Sequence, residues 1–530
     1  MQQLSGLDTQ FLAIESKTTY GHVSGLVVLD PSKRPGGRLT LEDLKRVLAE
    51  RLHLLPVMRN RLKTVPLGLD RPYWIEDEHF DLDYHVRELA LPKPGTDAQL
   101  AEQVERIFSR PLDRARPLWE LYLVQDLEGG HCAVMTKIHH ALVDGMSGAE
   151  IIGVLYDLEP TGRDLEPHPE HEPAPAPPGS LEMLARGLVS LPLTPIRLIR
   201  AAPNTLPHLD VAPSLLGIPG AARASRLLSR ARGFVPGLDG EVVERPAMRA
   251  PRTPFSEKIS PHRKFAFGTL ELAKVRRVKD HFGVKVNDVV VAITAAATRD
   301  WLVEHDALPD APLLAQIPVS VRTEDEAGTF GNKLSVMIVP VPTDVADPSD
   351  RLMAAHASLL AAKDRHQALP AAALQDITEF IPPAINARAA RVALQLSSSP
   401  ALRPLYNMVI SNVPGPRIPL YLAGAEMVAQ YPVSVITNGA GLNVTVMSYR
   451  ERVDFGIVAD REQMPDLQDL VESARAALDE LDALVGAASD KGARNASKRA
   501  KATGGAKAKG ATKTSGAAEA GGGRPKARAL

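Results

Sequence analysis

Two apolar runs, Trp119–Gln125 and His131–Ile138, are joined by Asp126-Leu-Glu-Gly129-Gly130 and lead straight into His139-His140-Ala-Leu-Val-Asp144-Gly145. No other stretch of the chain constrains its fold as tightly. Gly129 and Gly130 supply the positive-φ positions of a tight turn, so the two runs read as a β-hairpin. Downstream, Ser147-Gly-Ala-Glu150 is a capping-box pattern, and Ile151, Ile152, Val154, Leu155 and Leu158 continue at helical spacing. Two histidines, a carboxylate and a turn glycine therefore stand where a rigid strand gives way to a helix. Adjacent strand residues face opposite sides of a sheet, so the spacing predicts one histidine in a cleft and the other in packing.

From the residues alone, three readings of the pair stay open. A metal site needs further converging ligands, and neither a His-x-x-x-His helix nor a cysteine pair accompanies these two. A buried or surface pair beside an Asp-Gly turn is the bland reading, and acid–base catalysis is the third. Other nucleophiles fit less well. Gly145-Met-Ser147-Gly148-Ala149 has alanine where a G-x-S-x-G elbow ends in glycine, so Ser147 reads as a helix cap. Cys132 lies within a strand and reads as core. Asp454-Phe455-Gly456 has neither the glycine-rich loop nor the catalytic-loop pattern of a kinase and reads as a late strand.

With 530 residues, 44% of them hydrophobic, the chain is long enough for two domains and a large core. Its net charge of -1 conceals an asymmetry: residues 486–530 carry eleven Lys/Arg against two acidic residues and no aromatic residue. Such a tail cannot bury enough surface to fold alone. It reads as a disordered basic appendage, or as an arm attracted to anionic membrane or nucleic acid by charge; nothing in it reads bases, so no specific nucleic-acid recognition is expected. The single cysteine points to a reducing compartment, the N-terminus lacks signal-peptide character, and no apolar run reaches the roughly 18 residues of a membrane span. A cytoplasmic protein that meets lipid from the membrane surface is expected.

The chain divides into residues 1–160 with the histidine motif, a variable segment 161–254, a second half 255–485 and the tail 486–530. Glu159 to Ser180 is a Pro/Glu-rich linker by composition, and Leu181 to Gly240 alternates apolar patches with prolines and arginines, as an interfacial amphipathic helix or short packed helices would. Leu39-Thr40-Leu-Glu-Asp43 opens a helix carrying Leu44, Val47, Leu48 and Leu52. In the second half, Lys264–Leu270 reads as a strand, Ala273–Phe282 as a helix, and Asn287 as the N-cap of a further helix through Trp301, with Asp288 favouring its dipole. Strand-like runs recur at Leu314–Val321, Leu334–Val341, Tyr406–Ser411, Leu442–Tyr449 and Val453–Ala459. Mixed elements in two halves predict an α/β fold of two sheet-based subdomains.

The whole pattern HHxxxDG resembles the signature of the CoA-dependent acyltransferase superfamily, shared by chloramphenicol acetyltransferase-like enzymes and peptide-synthetase condensation domains. Further blocks narrow the likeness. Leu4-Ser-Gly-Leu-Asp8-Thr-Gln-Phe11, Pro111 to Glu120 with its Pro117-Leu118-Trp119, and Val286-Asn287-Asp288-Val289-Val290 resemble segments of the bacterial wax ester synthase/diacylglycerol acyltransferases. So do Pro318-Val-Ser-Val-Arg322 with Phe330-Gly331-Asn332, Ser411-Asn412-Val413-Pro414-Gly415-Pro416, and Gly441-Leu-Asn443-Val. The blocks run in order from Met1 to about Leu484. Thr253-Pro-Phe-Ser256-Glu257 departs from an Asn-Gly pair common in relatives, which puts a polar contact there in doubt.

The resemblance implies two chloramphenicol acetyltransferase-like subdomains with an active-site tunnel between them. It implies transfer of a long-chain acyl group from acyl-CoA to diacylglycerol, giving triacylglycerol, or to a fatty alcohol, giving wax ester. Acyl-CoA is a substrate, so no cofactor and no metal is expected. The motif assigns the general base to His140, with His139, Asp144 and Gly145 in support; a neutral imidazole near its usual pKa of about 6.5 takes the alcohol proton as the alcohol attacks directly, without an acyl-enzyme. Arg322 is the expected partner of Asp144, and Asn287 and Asp288 are expected to line the tunnel opposite His140. A peripheral place on the inner membrane or lipid inclusions follows from such substrates. Two alternatives come from other classes: a lipid-surface protein that binds acyl chains without turnover, and an acyltransferase acting on a carrier-bound acceptor.

Overall fold

A computed structural model describes residues 2–143, 148–165, 181–185, 249–320, 334–367 and 403–486, with isolated positions at 179, 388, 391–392, 395 and 397–399. Asp144, Gly145 and Ser147, Arg322 and the block at 330–332, most of the 161–254 segment and nearly all of the tail lie outside the described residues. Residues 1–481 form one compact unit.

The predicted hairpin is present. Trp119–Gln125 pairs antiparallel with Cys132–His139, and Gly129 (φ 77°) and Gly130 (φ 79°) make the turn. Cys132–His139 pairs on its other side with His22–Asp30, in a register that sets His22 opposite His139. The resulting six-stranded sheet is closed by Val86–Ala90 at one edge and by Ala425–Val433 with Tyr421–Leu422 at the other. The last two strands come from the second half of the sequence, so the first sheet is not built from one contiguous stretch.

A second six-stranded sheet holds Leu334–Val341, Leu313–Ser320, Met408–Val413, Leu442–Tyr449, Arg452–Asp460 and Arg263–Glu271 in that order. All five strand-like runs of the second half are therefore strands, two with the expected bounds and three with ends shifted by one or two residues. The visiting strand ties the sheets together. Asp454 accepts the Gln430 N–H at 3.0 Å, and a Cβ at Gly456 would lie 1.9 Å from the Pro432 carbonyl oxygen. Only glycine permits that approach of two backbones, which gives Asp454-Phe455-Gly456 the structural role its strand position suggests.

Helices start where local chemistry dictates. Helix Leu41–Arg51 begins at Thr40, whose hydroxyl accepts the Asp43 N–H while the Asp43 carboxylate accepts the Thr40 N–H, a reciprocal box that satisfies two orphan donors. Helix Val286–Glu304 differs from expectation: its N-cap is Lys285, and Asn287 lies inside the first turn. Asp288 closes this start by accepting the Lys285 N–H at 2.8 Å. Its charge also favours the positive helix end. Trp119 anchors the hairpin; it is 1% exposed, donates its indole N–H to the Met58 carbonyl at 2.7 Å, and stacks on His85. No described helix is long and apolar enough to cross a membrane.

Candidate active site

The strand ends at His139, and His140 is the first residue of a one-turn helix, His140–Val143. The alternation expected of neighbouring strand residues does not apply, because the backbone changes conformation between them. Both side chains instead meet the amino-terminal helix Gly6–Ile14 and the loop that follows it.

His139 is buried, and its Nδ1 accepts the Ala141 N–H at 3.1 Å. A side chain accepting from the second residue of a helix is an N-cap, so His139 starts the turn that carries His140. Its Nε2 then bears the proton and lies 3.2 Å from Glu15 Oε1. That oxygen also accepts the Gly21 N–H at 2.8 Å. The other Glu15 oxygen accepts from Arg114, at 3.0 Å from Nε and 2.5 Å from Nη2, and Arg114 in turn donates to the Leu12 carbonyl at 2.7 Å. Burial opposes ionisation of Glu15, but His139, Arg114 and the Gly21 N–H outweigh it and hold the carboxyl at about 2.

His140 is half-buried. Its main-chain N–H donates to the Gly21 carbonyl at 2.8 Å, and its ring stacks on Phe11 with centroids 3.9 Å apart and planes 15° from parallel. Burial first, and the neighbouring His139 second, push its pKa down to about 4, against a hydrogen bond to its own backbone. Only Nδ1 is near enough along the side chain to reach that backbone, and Nδ1 is buried with no partner from another described residue. The ring is therefore unprotonated at neutral pH.

Gly21 is the hinge of this arrangement. A Cβ there would lie 2.6 Å from His139 Nε2 and 3.2 Å from the Phe11 carbonyl oxygen, so only glycine lets the backbone come close enough to hold both histidines. Beneath the motif, Lys137 and His22 both engage the end of helix Asp97–Phe108. Lys137 Nζ donates to the Ile107 carbonyl at 3.1 Å, and His22 Nε2 lies 2.8 Å from that of Phe108. Lys137 also sits 3.5 Å from Glu120, which directly follows Trp119. Burial of Lys137, only partly offset by Glu120, lowers its pKa to about 8.

Asn287 and Asp288 have the following partners among the described residues. Asp288 is 3% exposed; its carboxylate accepts the Lys285 N–H and lies 2.6 Å from His356 Nδ1. The Asn412 side-chain amide donates to Asn287 Oδ1 at 3.5 Å. Among the described residues, neither Asn287 nor Asp288 bonds to His139 or His140. Thr253 to Ser256 form a buried turn held by a 2.8 Å contact between the two hydroxyls. Cys132 is buried, and burial pushes its thiol up to about 12, which removes it as a nucleophile at neutral pH. Among the described residues, no three His, Cys, Asp or Glu side chains converge as metal ligands.

Glu15 and Gly21 did not emerge from the sequence, and Phe11 and Arg114 emerged only as members of family blocks. Their one local signal is an acidic residue at the end of an apolar helix; what places them is pairing of His22 with His139, remote in sequence.

Comparison with known proteins identifies the family. The model of the wax ester synthase/diacylglycerol acyltransferase catalytic domain matches residues 4–290, and that of the family's C-terminal domain matches residues 330–482. A relative from Mycobacterium tuberculosis strain CDC 1551 / Oshkosh that carries the name diacylglycerol O-acyltransferase is 36% identical over 91% of this chain and 90% of its own. A second relative named for the same activity, from Mycobacterium bovis, is 33% identical over 90% of this chain and 98% of its own. The solved wax ester synthase/diacylglycerol acyltransferase from Marinobacter aquaeolei VT8 superposes with a TM-score of 0.65 at 28% identity, over 92% of this chain and 100% of that one. A trichothecene 15-O-acetyltransferase from Fusarium sporotrichioides shares the two-domain fold, with a TM-score of 0.52 at 14% identity.

Proposed function

The chain belongs to the wax ester synthase/diacylglycerol acyltransferase family, an acyl-CoA-dependent class of O-acyltransferases acting on diacylglycerol or an alcohol, and on that footing we propose that His140 is its general base. The observation that carries this reading is the half-buried, unprotonated His140 ring, stacked on Phe11 while its main-chain N–H is held by the Gly21 carbonyl.

An acyl-CoA thioester is already activated, so the transfer needs only a nucleophile and somewhere for its proton to go. Nε2 takes the hydroxyl proton as the alcohol oxygen bonds to the acyl carbon. The carbon–sulfur bond then breaks, and the imidazolium returns the proton to the departing CoA thiolate. Acid–base assistance of this kind contributes about 10²–10⁴-fold. No acyl-enzyme forms, and no cofactor is used.

The motif assigns Asp144 and Gly145 to holding the loop after His140, with Arg322 as the ion-pair partner of Asp144. Asn287 and Asp288 are assigned to the tunnel lining opposite His140, with Asn287 engaged by Asn412 and Asp288 by Lys285 and His356. Long acyl and acceptor chains enter a tunnel between the two halves from a peripheral position on the inner membrane or on lipid inclusions.

The test uses labelled palmitoyl-CoA with diacylglycerol or hexadecanol. Wild-type protein is expected to give triacylglycerol or wax ester, and His140→Ala, with an unchanged melting profile, to lose at least about a hundredfold of kcat. A folded His140→Ala protein esterifying at the wild-type rate overturns the assignment.

A further inference from the structure

We propose that Glu15 is a positioning residue for this reaction: it fixes the tautomer and orientation of His139, and through that cap it aims His140. The inference rests on His140 being the base but concerns a residue outside the motif.

Four contacts carry it. Glu15 Oε1 lies 3.2 Å from His139 Nε2, a charge contact outside hydrogen-bond alignment, and receives the Gly21 N–H at 2.8 Å. The opposite ring nitrogen accepts the Ala141 N–H at 3.1 Å. Gly21 then receives the His140 N–H on its own carbonyl at 2.8 Å. The path is continuous: carboxylate, buried imidazole, first-turn N–H, catalytic residue. Neutral imidazole has one donor and one acceptor, so a carboxylate at Nε2 leaves Nδ1 as the acceptor that a helix N-cap requires. Without the carboxylate, the proton is free to move to Nδ1, and the Ala141 N–H then faces a donor.

Glu15 is itself fixed. Its second oxygen is engaged by Arg114, which also holds the end of helix Gly6–Ile14 through the Leu12 carbonyl, and Arg391 donates to the Ala13 carbonyl at 2.8 Å. The same helix presents Phe11 to the His140 ring. Mere burial of a charge does not require this pattern, in which both carboxylate oxygens are used and one is directed at the motif.

The experiment compares Glu15→Ala and Glu15→Gln with wild-type protein, by steady-state kinetics and by nitrogen NMR of histidine-labelled protein. Glu15→Ala is expected to lower kcat about tenfold to a hundredfold, the cost of displacing a reacting group by about 1 Å, with the KM for acyl-CoA within about twofold. Its His139 signals are expected to leave the single Nε2–H tautomer. Glu15→Gln still offers an oxygen to Nε2–H and to the Gly21 N–H; it is expected to keep that tautomer and at least half of the lost kcat, and it decides the matter if the alanine variant does not fold. Wild-type kcat with an unchanged His139 tautomer in folded Glu15→Ala overturns the proposal, as does a glutamine variant no better than alanine. The spectra read His139 directly, so they decide the role of Glu15 even if His140→Ala proves active and the base assignment falls.

Discussion

Replacing Gly21 by alanine tests the site at its tightest point. The added methyl would stand 2.6 Å from His139 Nε2, 3.0 Å from Cε1 and 3.2 Å from the Phe11 carbonyl oxygen. The imidazole must retreat by about 0.8 Å to reach ordinary contact distance. It has little freedom to do so, with Glu15 3.2 Å away on one side and the Ala141 N–H bonded on the other. Overpacking of this kind costs about 1–3 kcal/mol of stability, which for a folded unit of this size lowers Tm by only about 1–3 °C. The catalytic cost is larger. Gly21 also receives the His140 N–H, so the shift is passed to the base, and a displacement near 1 Å costs up to about a hundredfold in rate. Release of CoA thiol from palmitoyl-CoA in the presence of hexadecanol gives kcat and KM, and a thermal melt gives Tm. The expected result is a kcat lower by about tenfold to a hundredfold, KM for acyl-CoA nearly unchanged, and a small fall in Tm. A folded Gly21→Ala enzyme with wild-type kcat would falsify the idea that this backbone approach sets the geometry of the base.

Two further predictions follow from buried charge. The His140 pKa is pushed below its usual value, to about 4, so its free base persists as pH falls from 7; kcat/KM is expected to decline with a midpoint near 4, whereas a midpoint near 6.5 in folded protein would show that burial does not govern this ring. Asp157 holds Arg51 at 2.8 Å where both are nearly inaccessible, while Arg51 and Arg163 cap carbonyls at the end of helix Gly148–Leu155. Asp157→Ala is expected to lose about 3–5 kcal/mol in urea denaturation, since it strands a buried guanidinium, and a loss under about 1 kcal/mol would refute that reasoning.

How much of this was legible beforehand depends on range. The Gly129-Gly130 turn, the reciprocal cap at Thr40 and the late strands are written in neighbouring residues, so periodicity and turn chemistry found them. The order of the family blocks carried the family. Reading His139 and His140 as strand neighbours failed because one residue ends the strand and the next begins a helix, a boundary that local propensity places only to within a residue or two. Asn287 failed as a cap for the same reason, with Lys285 and Asp288 closing the helix instead.

By itself, then, the sequence determined which elements form and which family the chain belongs to, because both are written in short runs of neighbouring residues. Only the tertiary structure decided what surrounds that segment. Pairing of His22 with His139 brings Gly21 against both histidines, and the amino-terminal helix then delivers Phe11 and Glu15 to them. Pairing of Ala425–Val433 with His22–Asp30 carries second-half residues into the first sheet. Such contacts are selected by burial and backbone hydrogen bonding across the folded chain, and no local pattern encodes them.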